Sequence, residues 1–338
     1  MKKVLQLGIG CLISAVAMYI AFRDVKLTEL SESFSQIQWW PVLPFLACFC
    51  AHFFFRSLRW RYLLPEPQGE RPSLRKLFDS MILGNLATFL LPFRLGEFIR
   101  PMILSRWSEY SFASAFISVV IERFFDLAGV LIAFAIIVPM LPAMPEWVNW
   151  GAYSLGALSG CLLLFLICGC LFPSFIRSSV ILFTKPLPQR LASLIVQFAG
   201  DLIEGAAVIK TPMRLLTIVV LTGVVWLFAW LQFYSLLFIF PYDHSFLLSV
   251  TLGVFVALAI AFPSAPGFLG VFQVGCVAAC SFFTFPPAAA TTYSIVVHML
   301  TYLLFIGIGF WLLAIHDLSL GELRNAAEDR GEAPIPPG

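Results

Sequence analysis

Two short interruptions, Pro92-Phe93-Arg94-Leu95-Gly96-Glu97 and Pro263-Ser264-Ala265-Pro266-Gly267, break long apolar stretches of this chain. Each sets a proline and a glycine four residues apart, and the two fall at corresponding places in the two halves. Proline removes a backbone donor and clashes with the preceding turn, while glycine relaxes the dihedrals, so each pair ends a helix. In lipid no water replaces the lost hydrogen bonds, and irregular backbone persists there only where protein or a cavity surrounds it. A matched pair of such breaks points to the substrate site of a transporter-like protein.

The surrounding sequence is that of a membrane protein: 60% hydrophobic and 12% charged residues exclude a soluble globular domain. At about 20 residues per crossing of a ~30 Å core, six full spans are expected, over 4–22, 38–56, 112–140, 151–172, 214–240 and 290–314. Regions 77–93 and 246–285 hold the two breaks and are read as re-entrant or hairpin segments, giving up to eight spans in an all-α polytopic protein. A single membrane domain over 1–315 is expected, followed by a mobile cytoplasmic tail at 316–338. The eight cysteines lie in apolar runs without zinc-type spacing and read as small hydrophobes. Neither a cofactor, a metal nor a nucleic-acid partner is expected.

Charge placement sets the topology. With a cytoplasmic N-terminus and both broken regions returning to their side of entry, 18 of the 21 Lys and Arg are cytoplasmic. Arg23 and Lys26 lie outside, and Arg123 lies within the membrane. A full crossing at 77–93 would externalise Arg100, Arg106 and the basic residues of 177–214, so the positive-inside bias favours a hairpin. For 246–285, a hairpin and two full spans give the same parity. Both termini are expected in the cytoplasm.

Each half then reads as two spans, a broken segment and one more span, over 4–140 and 151–314. Three full crossings per half is odd, so the second half starts on the opposite face and the architecture is an inverted repeat whose breaks enter from opposite sides. The connector 173–213 carries Leu191, Leu194, Ile195, Phe198 and Leu202 at helical spacing, with Arg190, Asp201 and Glu204 between them. It reads as a helix on the cytoplasmic interface.

Chemistry-bearing residues gather at the first break and in one later span. Arg94, Glu97 and Arg100, three apart, would form a partly neutralised stripe on a helix, with Asn85 upstream. Glu122 lies about ten residues into its span, about 15 Å deep at 1.5 Å per residue, and shares a face with Asp126, while Arg123 points elsewhere. Charges at such depth must face protein or water. Arginine's planar fork suits a phosphate; the other reading is that Arg94 and Arg123 pair with Glu97, Glu122 or Asp126 and hold helices together. Near the second break stand Ser264, Gln273, Tyr293, His298 and Tyr302, where His298 reads as a titrating group or as a hydrogen-bonded packing residue. Arg56, Arg59 and Arg61 read as a topology determinant at the edge of the second span.

The segments Asn85…Leu91-Pro92-x-Arg94-x-Gly96-Glu97-x-x-Arg100, Glu122-Arg123-x-x-Asp126 and Pro263-x-x-Pro266-Gly267-x-x-Gly270-x-x-Gln273 give the chain a family likeness. It resembles the flippase-like transmembrane domain of lysylphosphatidylglycerol synthases and their stand-alone relatives, over about 5–315. The resemblance implies a plasma-membrane protein of bacterial or archaeal type that moves a lipid, or a lipid-linked head group, between leaflets. It also implies membrane lipids as partners, with an anionic or phosphate-bearing lipid as substrate, and envelope-lipid or glycoconjugate enzymes as associates. Bifunctional members carry a soluble aminoacyl-transferase domain after the membrane part; this sequence ends at Gly338, so lysyl transfer is not expected of it. Gln273 stands where many relatives carry an acidic residue, which disfavours carboxylate-based coupling there. Two other functions remain open on the residues alone: a membrane-embedded transferase using Glu122 or Asp126 as base on a polyprenyl-phosphate donor, and a non-transporting assembly partner.

Overall fold

A computed structural model describes residues 2–66, 70–142, 150–151, 153–154, 156–158, 160–161, 164, 173–184, 189, 193, 196, 211–242, 244–323 and 325. Among these residues the secondary structure is helical, with no strand. Helix α1 (Lys2–Phe22) is followed by α2 (Leu27–Ser35), and the run Gly8–Phe22 meets α2 at 76°. Three helices are long and apolar enough to cross a bilayer unaided: α3 (Val42–Leu63), α8 (Pro212–Leu237) and α11 (Pro287–Ile315). The bent α1–α2 pair makes a fourth if it counts as one span. Helix α6 (Phe112–Ile137) has the length, 26 residues, but carries Glu122, Arg123 and Asp126 in its middle. Within the connector, α7 (Pro173–Thr184) forms; most of the span expected at 151–172 and the amphipathic stretch at 190–204 lie outside the described residues.

Both breaks fold as hairpins. Helix α4 (Leu74–Leu90) stops before Pro92, a 3-10 turn covers Pro92–Arg94, and α5 (Gly96–Trp107) returns alongside. The close approach rests on glycine: a Cβ on Gly84 would stand 2.8 Å from the Arg100 Cβ, and one on Gly96 would overlap the Gly84 carbonyl and Thr88. Such small residues let helix backbones touch where burial of apolar surface supplies no drive. Likewise α9 (Phe246–Ala261), a 3-10 turn at Pro266–Phe268 and α10 (Val271–Cys280) double back, with a Gly275 Cβ placed 3.0 Å from the Val256 Cα. At 16 and 10 residues, these arms reach about 24 and 15 Å at 1.5 Å per residue, short of a ~30 Å core. The region left open between hairpin and two full spans is therefore two short antiparallel helices.

The chain divides into two compact units that cut across the expected halves: Met1–His52, Phe78–Ile103 and Leu227–Gly338 form one, Phe53–Leu77 and Leu104–Trp226 the other. Both hairpin tips belong to the first. Its core joins Phe45, Leu237, Leu252, Cys276 and Tyr293, all buried, and the Tyr293 hydroxyl donates to the Phe233 carbonyl at 2.6 Å. The second unit is built around Trp60, whose Nε1 donates to Ser118 Oγ at 2.9 Å. There α6 begins at Ser111, whose side chain accepts from the Ser114 amide, the expected way to satisfy an orphan N–H at a helix start. Arg214, in the first turn of α8, donates to the Tyr62 and Leu64 carbonyls at 2.9 and 2.6 Å and so occupies acceptors at the end of α3.

Candidate functional site between the hairpin tips

The two 3-10 turns touch one another. They share a form: a proline, one residue, a third residue in the left-handed region, one more residue, then the glycine from which the returning helix starts. The third residues are Arg94, with φ 54°, and Phe268, with φ 60°. Neither is a residue type that visits this region cheaply, so both tips hold strained backbone. This fixes the register of the second break. The expected pairing of Pro92…Gly96 with Pro263…Gly267 is three residues early; the structural counterpart is Pro266…Gly270, with Gly270 as the N-cap of α10.

A closed hydrogen-bond relay holds the second tip. The Gly270 amide donates to Gln273 Oε1 at 2.8 Å, and Gln273 Nε2 donates to His298 Nδ1 at 2.9 Å. The other ring nitrogen, His298 Nε2, then donates to the Gly267 carbonyl at 2.7 Å. This order requires a neutral imidazole protonated at Nε2, because Nδ1 is an acceptor. Gln273 and His298 are both buried, so each polar group finds its partner inside protein. Of the two roles open for His298, the geometry is that of the hydrogen-bonded packing residue, and the ring is stacked on Phe272 at 4.5 Å between centroids. Helix α1 closes the other side: the Ala265 amide donates to Ser14 Oγ at 2.8 Å, and a Cβ on Gly10 would lie 3.1 Å from the Ser264 carbonyl oxygen. Gly270, at φ 84°, backs directly onto the Ser14 carbonyl.

Between the tips lies a half-open hollow of about 530 Å³, lined by Ile9, Gly10, Thr88, Leu91, Pro92, Arg94, Ala261 and Pro263 to Phe268. Arg94 lies on its wall. Its Nη2 donates to the Phe262 carbonyl at 3.3 Å, and its guanidinium carbon sits 5.2 Å from the Phe268 ring centroid, within cation–π range. Of the expected site residues, Pro92, Arg94, Pro263, Ser264, Pro266 and Gly267 line the hollow, while Gly96, Gly270, Gln273 and His298 shape the tips behind it. Asn85 donates to the Met81 carbonyl of its own helix at 2.8 Å. Arg94, Glu97 and Arg100 do not share one helix: Arg94 lies before α5 in a left-handed turn, whereas Glu97 and Arg100 are on α5, with Arg100 buried against Gly84.

Glu122, Arg123 and Asp126 belong to the other unit and form a cluster there. One oxygen, Glu122 Oε1, receives three guanidinium groups: Arg123 at 2.8 Å, Arg56 at 3.0 Å and Arg59 at 3.3 Å. Arg59 also reaches Asp126 at 2.7 Å and Thr222 at 3.2 Å, and Arg123 reaches Asp126 at 3.3 Å. Both Arg59 and Glu122 have no exposed side-chain surface. Arg56 and Arg59 are thus not edge markers: α3 continues to Leu63, and they are the partners of the α6 carboxylates. The signal was present in the spacing, since Arg56 and Arg59 at i, i+3 match Glu122 and Asp126 at i, i+4.

No curated protein and no solved structure matches the chain. The model of the family described as the lysylphosphatidylglycerol synthase TM region matches residues 7–309, a stretch that takes in both hairpins, the hollow and the arginine–carboxylate cluster. The chain is a member of the lysylphosphatidylglycerol synthase transmembrane family.

Proposed function

We propose that this protein is a lipid flippase that moves a phosphate-bearing anionic lipid, or a polyprenyl-phosphate-linked one, between the leaflets of a bacterial or archaeal-type plasma membrane. One observation carries the reading: two proline-broken hairpin tips meet around a hollow with an arginine on its wall. Broken helices converging on a cavity are the usual construction of a transporter's substrate site. At about 530 Å³ the hollow falls in the range of small-molecule sites, about 300–1,000 Å³. It is large enough for a head group while the acyl chains stay in lipid. The matching form of the two tips supports an inverted repeat, with alternating access from movement of one hairpin against the other. Family membership supports a lipid-related role in the membrane.

The test is translocation of labelled lipids by the purified protein in proteoliposomes. The expected result is movement of an anionic phospholipid that Arg94→Ala slows at least about tenfold, the loss of one charge-assisted contact of about 1.4 kcal/mol or more. Equal movement by both proteins, or by neither across anionic and polyprenyl-phosphate lipids, overturns the reading.

A further inference from the structure

The relay at the second tip has a fixed polarity, because both of its ends are backbone groups. The Gly270 N–H can only donate and the Gly267 carbonyl can only accept. Gln273 must therefore turn its oxygen to Gly270 and its NH2 to His298, at 2.8 and 2.9 Å. His298 Nδ1 must accept, and Nε2–H goes to Gly267 at 2.7 Å. The relay closes for this neutral imidazole and for no other protonation state. From this geometry we infer that His298 is a proton-binding site that governs the second hairpin: the tip is closed while the ring is neutral, and one proton taken at Nδ1 releases Gly270. The inference deepens the transport reading by naming a proton as the ion linked to hairpin movement, and it rests on that reading only for what the movement carries.

A proton on Nδ1 sets an N–H against the Gln273 NH2. Turning the Gln273 amide over mends that pair and breaks the other, because its NH2 then faces the Gly270 N–H. Either way a donor loses its acceptor where His298 is 1% and Gln273 3% exposed, and an unmade bond at such a site is costly. Phe272 of α10 is stacked on the ring, Phe89 of α4 lies tilted at 6.3 Å, and Tyr302, the titratable neighbour, meets it edge-on at 6.5 Å from its own helix. The charge at this turn is Arg94, over the Phe268 ring, and it is a cation like the protonated imidazole. Gly270 is the N-cap of α10 at φ 84° and backs onto the Ser14 carbonyl, so freeing its amide loosens the start of α10 against α1. Gly267, at the other end of the relay, lines the hollow, which puts the ring one hydrogen bond behind the wall from which a proton arrives.

The closed tip holds no proton on Nδ1, whereas an open tip takes one near the ordinary histidine value of about 6.5. Closure is therefore independent of pH above that value and weakens about tenfold per pH unit below it. Hydrogen exchange of the full chain in a neutral detergent, from about pH 8 to about pH 5 and divided by the unstructured-peptide rate at each pH, reads this at the Gly270 amide. Wild-type protection should hold level to about pH 6.5 and then fall about tenfold per unit. His298→Ala should lack protection at every pH. In Gln273→Glu a carboxylate accepts from Gly270 and from Nδ1–H together, so the relay closes around a charged ring and protection should not fall in acid. This arm stands if His298→Ala does not fold. Amides of 289–297, within α11, should stay level throughout.

Level wild-type protection down to about pH 5, a fall that persists in Gln273→Glu, or an equal fall over 289–297 overturns the inference. Lipid movement in proteoliposomes separates it from the transport reading. A tip that answers to pH in a protein that moves no lipid sinks transport and leaves the proton site standing, whereas lipid movement with a pH-insensitive tip does the reverse.

Discussion

Arg94 and Phe268 occupy the same station on two different hairpins, the left-handed third residue of a proline-led 3-10 turn, and the guanidinium of one lies over the ring of the other. The contact joins two strained positions, because each side chain meets its partner from a backbone region that side-chain-bearing residues avoid. Releasing one strain therefore separates stability from recognition. Arg94→Gly should unfold about 1 kcal/mol later than Arg94→Ala, since glycine accepts this dihedral and alanine does not. Thermal unfolding in detergent checks the order, and both variants should lose phosphate-lipid retention.

Glycines at the tips should tolerate nothing larger. Gly96→Ala and Gly270→Ala place a methyl on the Gly84 and Ser14 carbonyls, both backbone atoms that have no room to yield. Neither variant should run as a monodisperse species on size exclusion. Gly223→Ala and Gly307→Ala, where a Cβ meets open space inside helices, should be neutral or stabilise by up to about 1 kcal/mol from helix propensity.

Truncating His298 to alanine strands the Gly267 carbonyl and the Gln273 amide in a buried site. The expected loss is about 1–3 kcal/mol for each unsatisfied group. Hydrogen exchange should rise at the Gly270 amide, which depends on the Gln273 orientation that His298 fixes. Unchanged exchange there would show that the relay does not hold the tip.

In the second unit, Glu122→Gln removes a fully buried charge that three arginines share. Breaking such a cluster should cost about 3–5 kcal/mol. Arg123→Gln should cost less, because Arg123 keeps 41% of its side chain exposed and its loss leaves Arg56 and Arg59 on Glu122. Unfolding midpoints of the two variants in the same detergent give the comparison; similar losses would mean that the cluster does not centre on Glu122.

Glu66, in the loop after α3, has its carboxyl held below the usual carboxylate range. The hydrogen bond from Arg71 is the main cause; burial opposes it, and the charges of Arg71 and Arg214 add to the lowering. A lowered folded-state value means the contribution is present above the unfolded value of about 4.3 and disappears as pH falls through the folded value. Midpoints of wild type and Glu66→Gln should therefore converge as pH drops from about 6 to about 3. A gap that stays constant over that window would contradict the assignment.

The first break was legible because a single proline and a single glycine stand there, and an absent donor is a feature no packing can restore. The second was legible as a break but not in its register. Pro263 and Pro266 pair with Gly267 and Gly270 at the same spacing, and only the turn dihedrals choose between them. Arg56 and Arg59 were misplaced for a different reason. A hydropathy window ends a span at its first arginines, whereas carboxylates 66 residues away let α3 carry those charges onward. The placement of Arg94 apart from Glu97 and Arg100 was not legible, because residue spacing implies a face only when all three residues share one helix. Gln273 and His298 could be seen as polar groups in apolar sequence, but their closed relay depends on a turn that pattern alone does not describe.

Ser14 accepts its bond from the Ala265 amide, 251 positions further along the chain. A ribosome making this protein exposes that hydroxyl 251 residues before the amide. The first helix therefore waits with one face unmatched until the second hairpin has been made and can close against it. Synthesis halted before that hairpin emerges should leave α1 accessible to reagents that the finished protein excludes.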